Sequence, residues 1–204
     1  MSAKSFAEAI GSIPGPEEPA LQQLAERAGL LCFFRFPYFP LRFGARGQAF
    51  AIHDAGYLVR LRTAGADETI RQVHWLAGLL ACRGMPSWLL EVQLQYVIRL
   101  LRPRGEPIDA LLRAHASLVG RRCSIMTHER MQACGASFAQ AVGLPPFRRV
   151  RETGMLLASA WCDERNGLSS PEPFLSWMTD SARFPPRWTV AVQNTYQSLG
   201  GDPS

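Results

Sequence analysis

From Gly47 almost to the C-terminus, apolar residues recur every three or four positions in runs separated by proline or glycine. That period matches the turn of an α-helix, and no stretch shows the strict apolar and polar alternation of a half-buried strand. The expected fold is therefore all-α: a bundle of about eight helices whose apolar faces bury one another.

The punctuation sets the units. QAFAIHDAGYLVRLRTAG reads as a helix closed by Gly65. In DETIRQVHWLAGLLACRG, the acids of the first turn suit a helix N-terminus, and Ile70, Val73, Leu76, Leu79 and Leu80 trace one face. Pro86 opens PSWLLEVQLQYVIRLL, because a proline at the first helical position loses no hydrogen bond. Further helices are expected in EPIDALLRAHASLVG, THERMQACGASFAQAVG, FRRVRETGMLLASAWCDERNG, SSPEPFLSWMTDSA and PRWTVAVQNTYQSL, with a GLPP turn between the second and third. Upstream, PALQQLAERAGLL reads as a helix stopped by Gly29. Residues 1–16 carry Gly and Pro too densely for a regular element and read as a flexible lead-in to one helical domain, 17–204.

RGMPSWLLEVQLQY (83–96) recurs as RFPPRWTVAVQNTY (183–196), with six of fourteen residues identical. Asp54, Gly56 and Leu58 align similarly with Glu152, Gly154 and Leu156. The expectation is two tandem related three- to four-helix units, about 45–101 and 147–200, packed around a pseudo-twofold axis. Within each, the tryptophan and tyrosine read as packing anchors and the glutamine as a helix-end hydrogen-bonder. The alternative is that Arg83, Trp88, Gln93 and Tyr96 share a pocket with Arg183, Trp188, Gln193 and Tyr196.

CFFRFPYFPLRFG (32–44) holds five phenylalanines and a tyrosine, broken by Pro37 and Pro40. Two prolines within so short a run predict an extended or turning segment. Its rings serve either as a strap over the core or as a surface for a partner or planar ligand, with Phe33, Phe34, Phe36, Tyr38, Phe39 and Arg42 as candidates.

A net charge of +5 raises the question of nucleic acid, but 21 of the 22 basic residues are arginine and they gather near expected helix ends, where a cation is favoured. Biased composition accounts for them, and no continuous basic stripe emerges. Five widely spaced cysteines without a CxxC pair argue against a disulfide framework or a zinc knuckle and for reduced thiols in the cytoplasm. Neither a signal peptide nor a membrane span is expected.

The four histidines fall on four expected helices without a ligand pair at i and i+4. His53 and His74 are candidate axial ligands for a haem or similar tetrapyrrole packed by the aromatic segment. His128, Met131 and Cys134 are spaced by three, which drifts too far around a helix to serve one ion without strain. No GxSxG, P-loop or GxGxxG motif occurs.

The RxGxRG turn RFGARG (42–47), followed by WLAGLLACRGMP (75–86) and a leucine-rich helix, resembles the helical module that precedes cobalamin-binding domains in light-responsive bacterial regulators. The likeness spans about residues 41–100 and implies a helical bundle with a sensory or adaptor role. The Glu-His that this family places after its Trp is missing, and no corrinoid-binding half follows, so a cobalamin function is not implied. The combined expectation is a non-enzymatic regulatory or adaptor protein that binds a protein partner or forms a homodimer, the alternatives being a planar-ligand bundle or an accessory subunit of a biosynthetic enzyme.

Overall fold

The computed structural model describes residues 16–143 and 148–200. The expected lead-in (except Pro16) and most of the GLPP turn lie outside them. Among the described residues there are nine α-helices and no strand. They are α1 (Pro19–Arg35), α2 (Tyr38–Arg60), α3 (Ala66–Ala81), α4 (Trp88–Leu101), α5 (Asp109–Cys123), α6 (His128–Val142), α7 (Arg148–Arg165), α8 (Glu172–Met178) and α9 (Pro186–Leu199).

Two expectations are corrected. The aromatic segment is neither extended nor a strap: it ends α1 and begins α2. Pro37 is the residue preceding α2 and Pro40 lies in its first turn, where a missing N–H breaks no intrahelical bond. The real break comes at Gly44, whose φ of 56° and ψ of −144° kink α2 in a conformation that a side chain would strain. Nor does Gly29 stop α1. A Cβ there would lie 2.6 Å from the Ile52 Cα, so this glycine lets α1 and α2 cross closely as a helical hairpin.

A second hairpin, α6 with α7, crosses in the same manner: a Cβ at Gly135 would lie 2.5 Å from the Arg151 carbonyl oxygen, and one at Gly154 would lie 2.8 Å from the Gly135 Cα. Helix α4 packs on the first hairpin and α9 on the second. The order of hairpin, third helix and proline-led fourth helix therefore occurs twice, with α5 between. The third helices differ in length, sixteen residues in α3 against seven in α8.

Helix α4 occupies the centre, touching α1, α2, α5 and α7. It is apolar nearly all round, the pattern of a helix enclosed on every side. Its one buried acid, Glu91, accepts a bidentate pair of bonds from Arg122 of α5, at 2.9 Å from Nε and 3.0 Å from Nη2. Helix α3 is fastened to α5 through the His74 Nε2 and Ser117 Oγ pair, 2.8 Å apart.

Candidate functional site

The side chains of the aromatic segment mostly build core. Phe33, Phe36, Tyr38 and Phe39 are buried. Phe36 meets Trp88 edge-on at 5.3 Å, and Tyr38 meets Phe174 at 5.2 Å and Trp177 at 5.3 Å. The Tyr38 hydroxyl donates to the Gly84 carbonyl, and Arg42 donates both to that hydroxyl and, at 3.2 Å, to the same carbonyl. The aromatic segment is thus tied to the link that carries Arg83. Phe34, in contrast, points to solvent.

His53 and Arg83 gather around one buried acid. The His53 Nδ1 lies 3.9 Å from the Asp54 carboxylate. Burial pushes the Asp54 carboxyl above its ordinary range, and His53 and Arg83 pull against that shift. His74 is half-buried, and burial, helped by Arg121, holds its imidazole below the ordinary value. Among the cysteines, burial pushes Cys134 up to about 11 and Cys162 up to about 12, so these thiols stay protonated near neutrality. Met131 is buried, whereas His128 is exposed.

The recurring residues are not gathered into one pocket. Gln93 is buried and donates to the Ala51 carbonyl at 2.6 Å, while Gln193 lies in solvent. Tyr96 is half-buried on α4. Tyr196 donates to Glu164 at 2.9 Å. Trp188 meets Phe138 edge-on at 5.1 Å and stacks on Phe184 at 5.3 Å. Arg183 pairs with Asp180 at 2.8 Å, and both line an open groove with Arg42 and Trp177.

The seam between the halves holds the polar chemistry. Asp163 of α7 accepts from the Ser87 backbone N–H at 2.8 Å and from its hydroxyl at 2.5 Å, while Ser159 accepts from the Trp88 N–H at 3.0 Å. Burial pushes the Asp163 carboxyl up to about 6 against these bonds. Beside them opens a cleft of about 320 Å³ between α1, α4, α6 and α7, lined by Arg35, Trp88, His128, Gln132, Arg151, Glu152 and Met155. Arg35 reaches the buried Glu152 Oε1 through Nη2 at 2.8 Å and Nε at 3.0 Å, and its guanidinium lies over the rings of Phe36 and Trp88.

Sequence reasoning picked out Trp88 but missed Arg35, Arg151 and Glu152. Two signals were available: Arg35 is the one charge within the aromatic run CFFRFP, and Glu152 aligns with Asp54. Neither shows that residues 117 positions apart would meet. The chain matches no protein-family model, and the searches of curated proteins and of solved structures yield no match either. The structure alone defines the class: an all-α bundle of two helical hairpins joined along a polar seam.

Proposed function

We propose that the chain is a non-enzymatic regulatory or adaptor protein that holds an acidic amphipathic helix of a partner protein at the elbow between α1 and α2. The observation that carries this is the run of exposed apolar side chains on the α1–α2 hairpin: Leu31 at 40%, Phe34 at 62%, Leu41 at 63% and Phe50 at 40% exposure. Leu31 and Phe34 line one open groove with Leu30, and an apolar surface left open in this way suits a partner. Arg27 and Arg46 are exposed on this hairpin against Glu26, whereas Arg35 and Arg42 are engaged by Glu152 and by Tyr38 with the Gly84 carbonyl. An apolar surface with a basic rim complements a helix that is apolar on one face and acidic on the other. The likeness of residues 41–100 to a sensory module agrees with such a role.

The test places a photoactivatable cross-linker at position 34 in cells and identifies the linked peptide. One discrete partner whose linked peptide is acidic and amphipathic is expected, and the adduct should disappear in the Phe34→Asp, Leu41→Asp double variant while circular dichroism stays unchanged. Adducts only between copies of this chain, or equal binding of both proteins to anionic phosphatidylserine vesicles, would count against it. So would adducts that survive the double substitution.

A further inference from the structure

The cleft at the seam has the features of a small-molecule site that the partner reading does not use. Its floor is apolar and enclosed: Trp88 is 4% exposed and Met155 7%. Its mouth is polar, with His128, Gln132 and Arg151 all exposed. A volume of about 320 Å³ lies at the lower end of the range for sites that enclose an organic ligand.

The charges select among ligands. Among the described residues, two guanidinium groups and one carboxylate line the cleft, one more cation than anion. The Arg35 charge is already matched by Glu152. The Arg151 side chain has no ion-pair or hydrogen-bond partner among the described residues, so it is the cation available to a ligand. A guanidinium holds a carboxylate through two parallel N–H bonds. A phosphate dianion would bring a second negative charge close to Glu152, which a monocarboxylate avoids. The Trp88 and Met155 floor calls for an apolar body in place of a fully polar one.

We infer that this cleft binds a small monocarboxylate with a compact apolar body, the carboxylate on Arg151 and the body against Trp88 and Met155. Because Arg35 and Trp88 come from the first half and Arg151 and Met155 from the second, the ligand bridges the seam. Binding then stabilises the association of the halves by mass action.

Phenylacetate is a suitable probe, followed by calorimetry, tryptophan fluorescence and thermal melting of the full chain. Saturable binding is expected, with a fluorescence change and a melting temperature that rises with ligand concentration. Arg151→Gln should weaken binding at least tenfold with unchanged circular dichroism, whereas Arg113→Gln, on the exposed face of α5, should leave it unaltered. Benzyl alcohol, which keeps the body and loses the charge, should bind at least tenfold more weakly, as should inorganic phosphate. Absence of saturable phenylacetate binding, or equal binding by Arg151→Gln, overturns the site. Phosphate binding as tightly as phenylacetate overturns the ligand class. None of these results depends on whether the elbow binds a protein.

Discussion

Helices α4 and α9 start from nearly the same signature and end in different surroundings. Each begins beside a proline and a tryptophan, and each carries Val, Gln and Tyr in the same register. Ten of the fourteen residues of α4 are buried, against four of fourteen in α9. The difference comes from the positions that do not recur. Leu89, Leu90, Leu94 and Leu101 of α4 face Thr189, Val190, Asn194 and Gly201 at plus one hundred. A shared signature therefore marks, to within two residues, where a helix starts. The residues between decide whether it becomes the centre of the bundle or its flank.

The largest test of that contrast is at Glu91, whose counterpart in α9 is the uncharged Ala191. Glu91 and Arg122 are 2% and 4% exposed, so Glu91→Ala strands a buried guanidinium and should cost about 3–5 kcal/mol in urea denaturation. Replacing both partners, Glu91→Met with Arg122→Leu, should recover most of that loss. A small effect of the single substitution would show that α4 is not enclosed as described.

The tryptophans come next. Trp88 sits in the core against Phe36, and Trp88→Ala should cost about 3–5 kcal/mol through the cavity it leaves. Trp188 is half-buried, and its indole Nε1 is buried without a hydrogen-bond acceptor among the described residues. Trp188→Phe keeps much of the ring contact and removes that unsatisfied donor, so its cost should stay within about 1 kcal/mol. Equal losses at the two sites, read by the same denaturation, would break the contrast.

What the sequence made legible was local. Helical periodicity located the elements but not the N-cap of α6, where Thr127 accepts from the Arg130 N–H. The mistakes were also local rules, applied without neighbours. Pro37 and Pro40 look like breakers while their place relative to the helix start is unknown, although the rule that covers Pro86 covers them too. Gly29 looks like a stop because only the partner helix shows that it is a crossing point. The cleft was illegible for a stronger reason: Arg35 and Glu152, like Ser87 and Asp163, meet only after both hairpins have packed. No periodicity encodes such pairs.

The seam bonds differ between the two helix starts as well. Ser87 gives its N–H and hydroxyl to Asp163, while the residue at plus one hundred, Arg187, reaches the Ala141 carbonyl at 3.2 Å. Only the first involves a group that titrates near neutrality. Because the folded Asp163 carboxyl is raised to about 6, its contribution to stability is full below the ordinary carboxylate value and is lost as pH rises through about 6. The interval from the ordinary value corresponds to a change on the order of 3 kcal/mol. Asp163→Asn keeps an acceptor for the Ser87 N–H and removes the ionisation. Wild type should therefore lose stability relative to this variant between pH 4 and 7, by denaturant titration at both values. Arg187→Ala, which keeps Asp163, should follow the pH dependence of wild type.

The smallest contrast is the glutamine pair, and it isolates burial from sequence most cleanly. Gln93 and Gln193 hold the same register in the two helices. The first spans from α4 to the Ala51 carbonyl of α2, close to the crossing point at Gly29. Gln93→Ala leaves that carbonyl without its side-chain donor in a water-free setting, so a loss of about 1–2 kcal/mol is expected. Gln193 is exposed, and Gln193→Ala should change stability by no more than about 0.5 kcal/mol. Hydrogen exchange adds a local readout, since loosening the Gln93 tie should speed exchange of α2 amides around Ala51 and leave the α6–α7 hairpin unaffected. If both substitutions prove neutral and α2 exchange is unchanged, the α4 glutamine is not a tie between helices, and the signature's tryptophan alone carries the difference between the two halves.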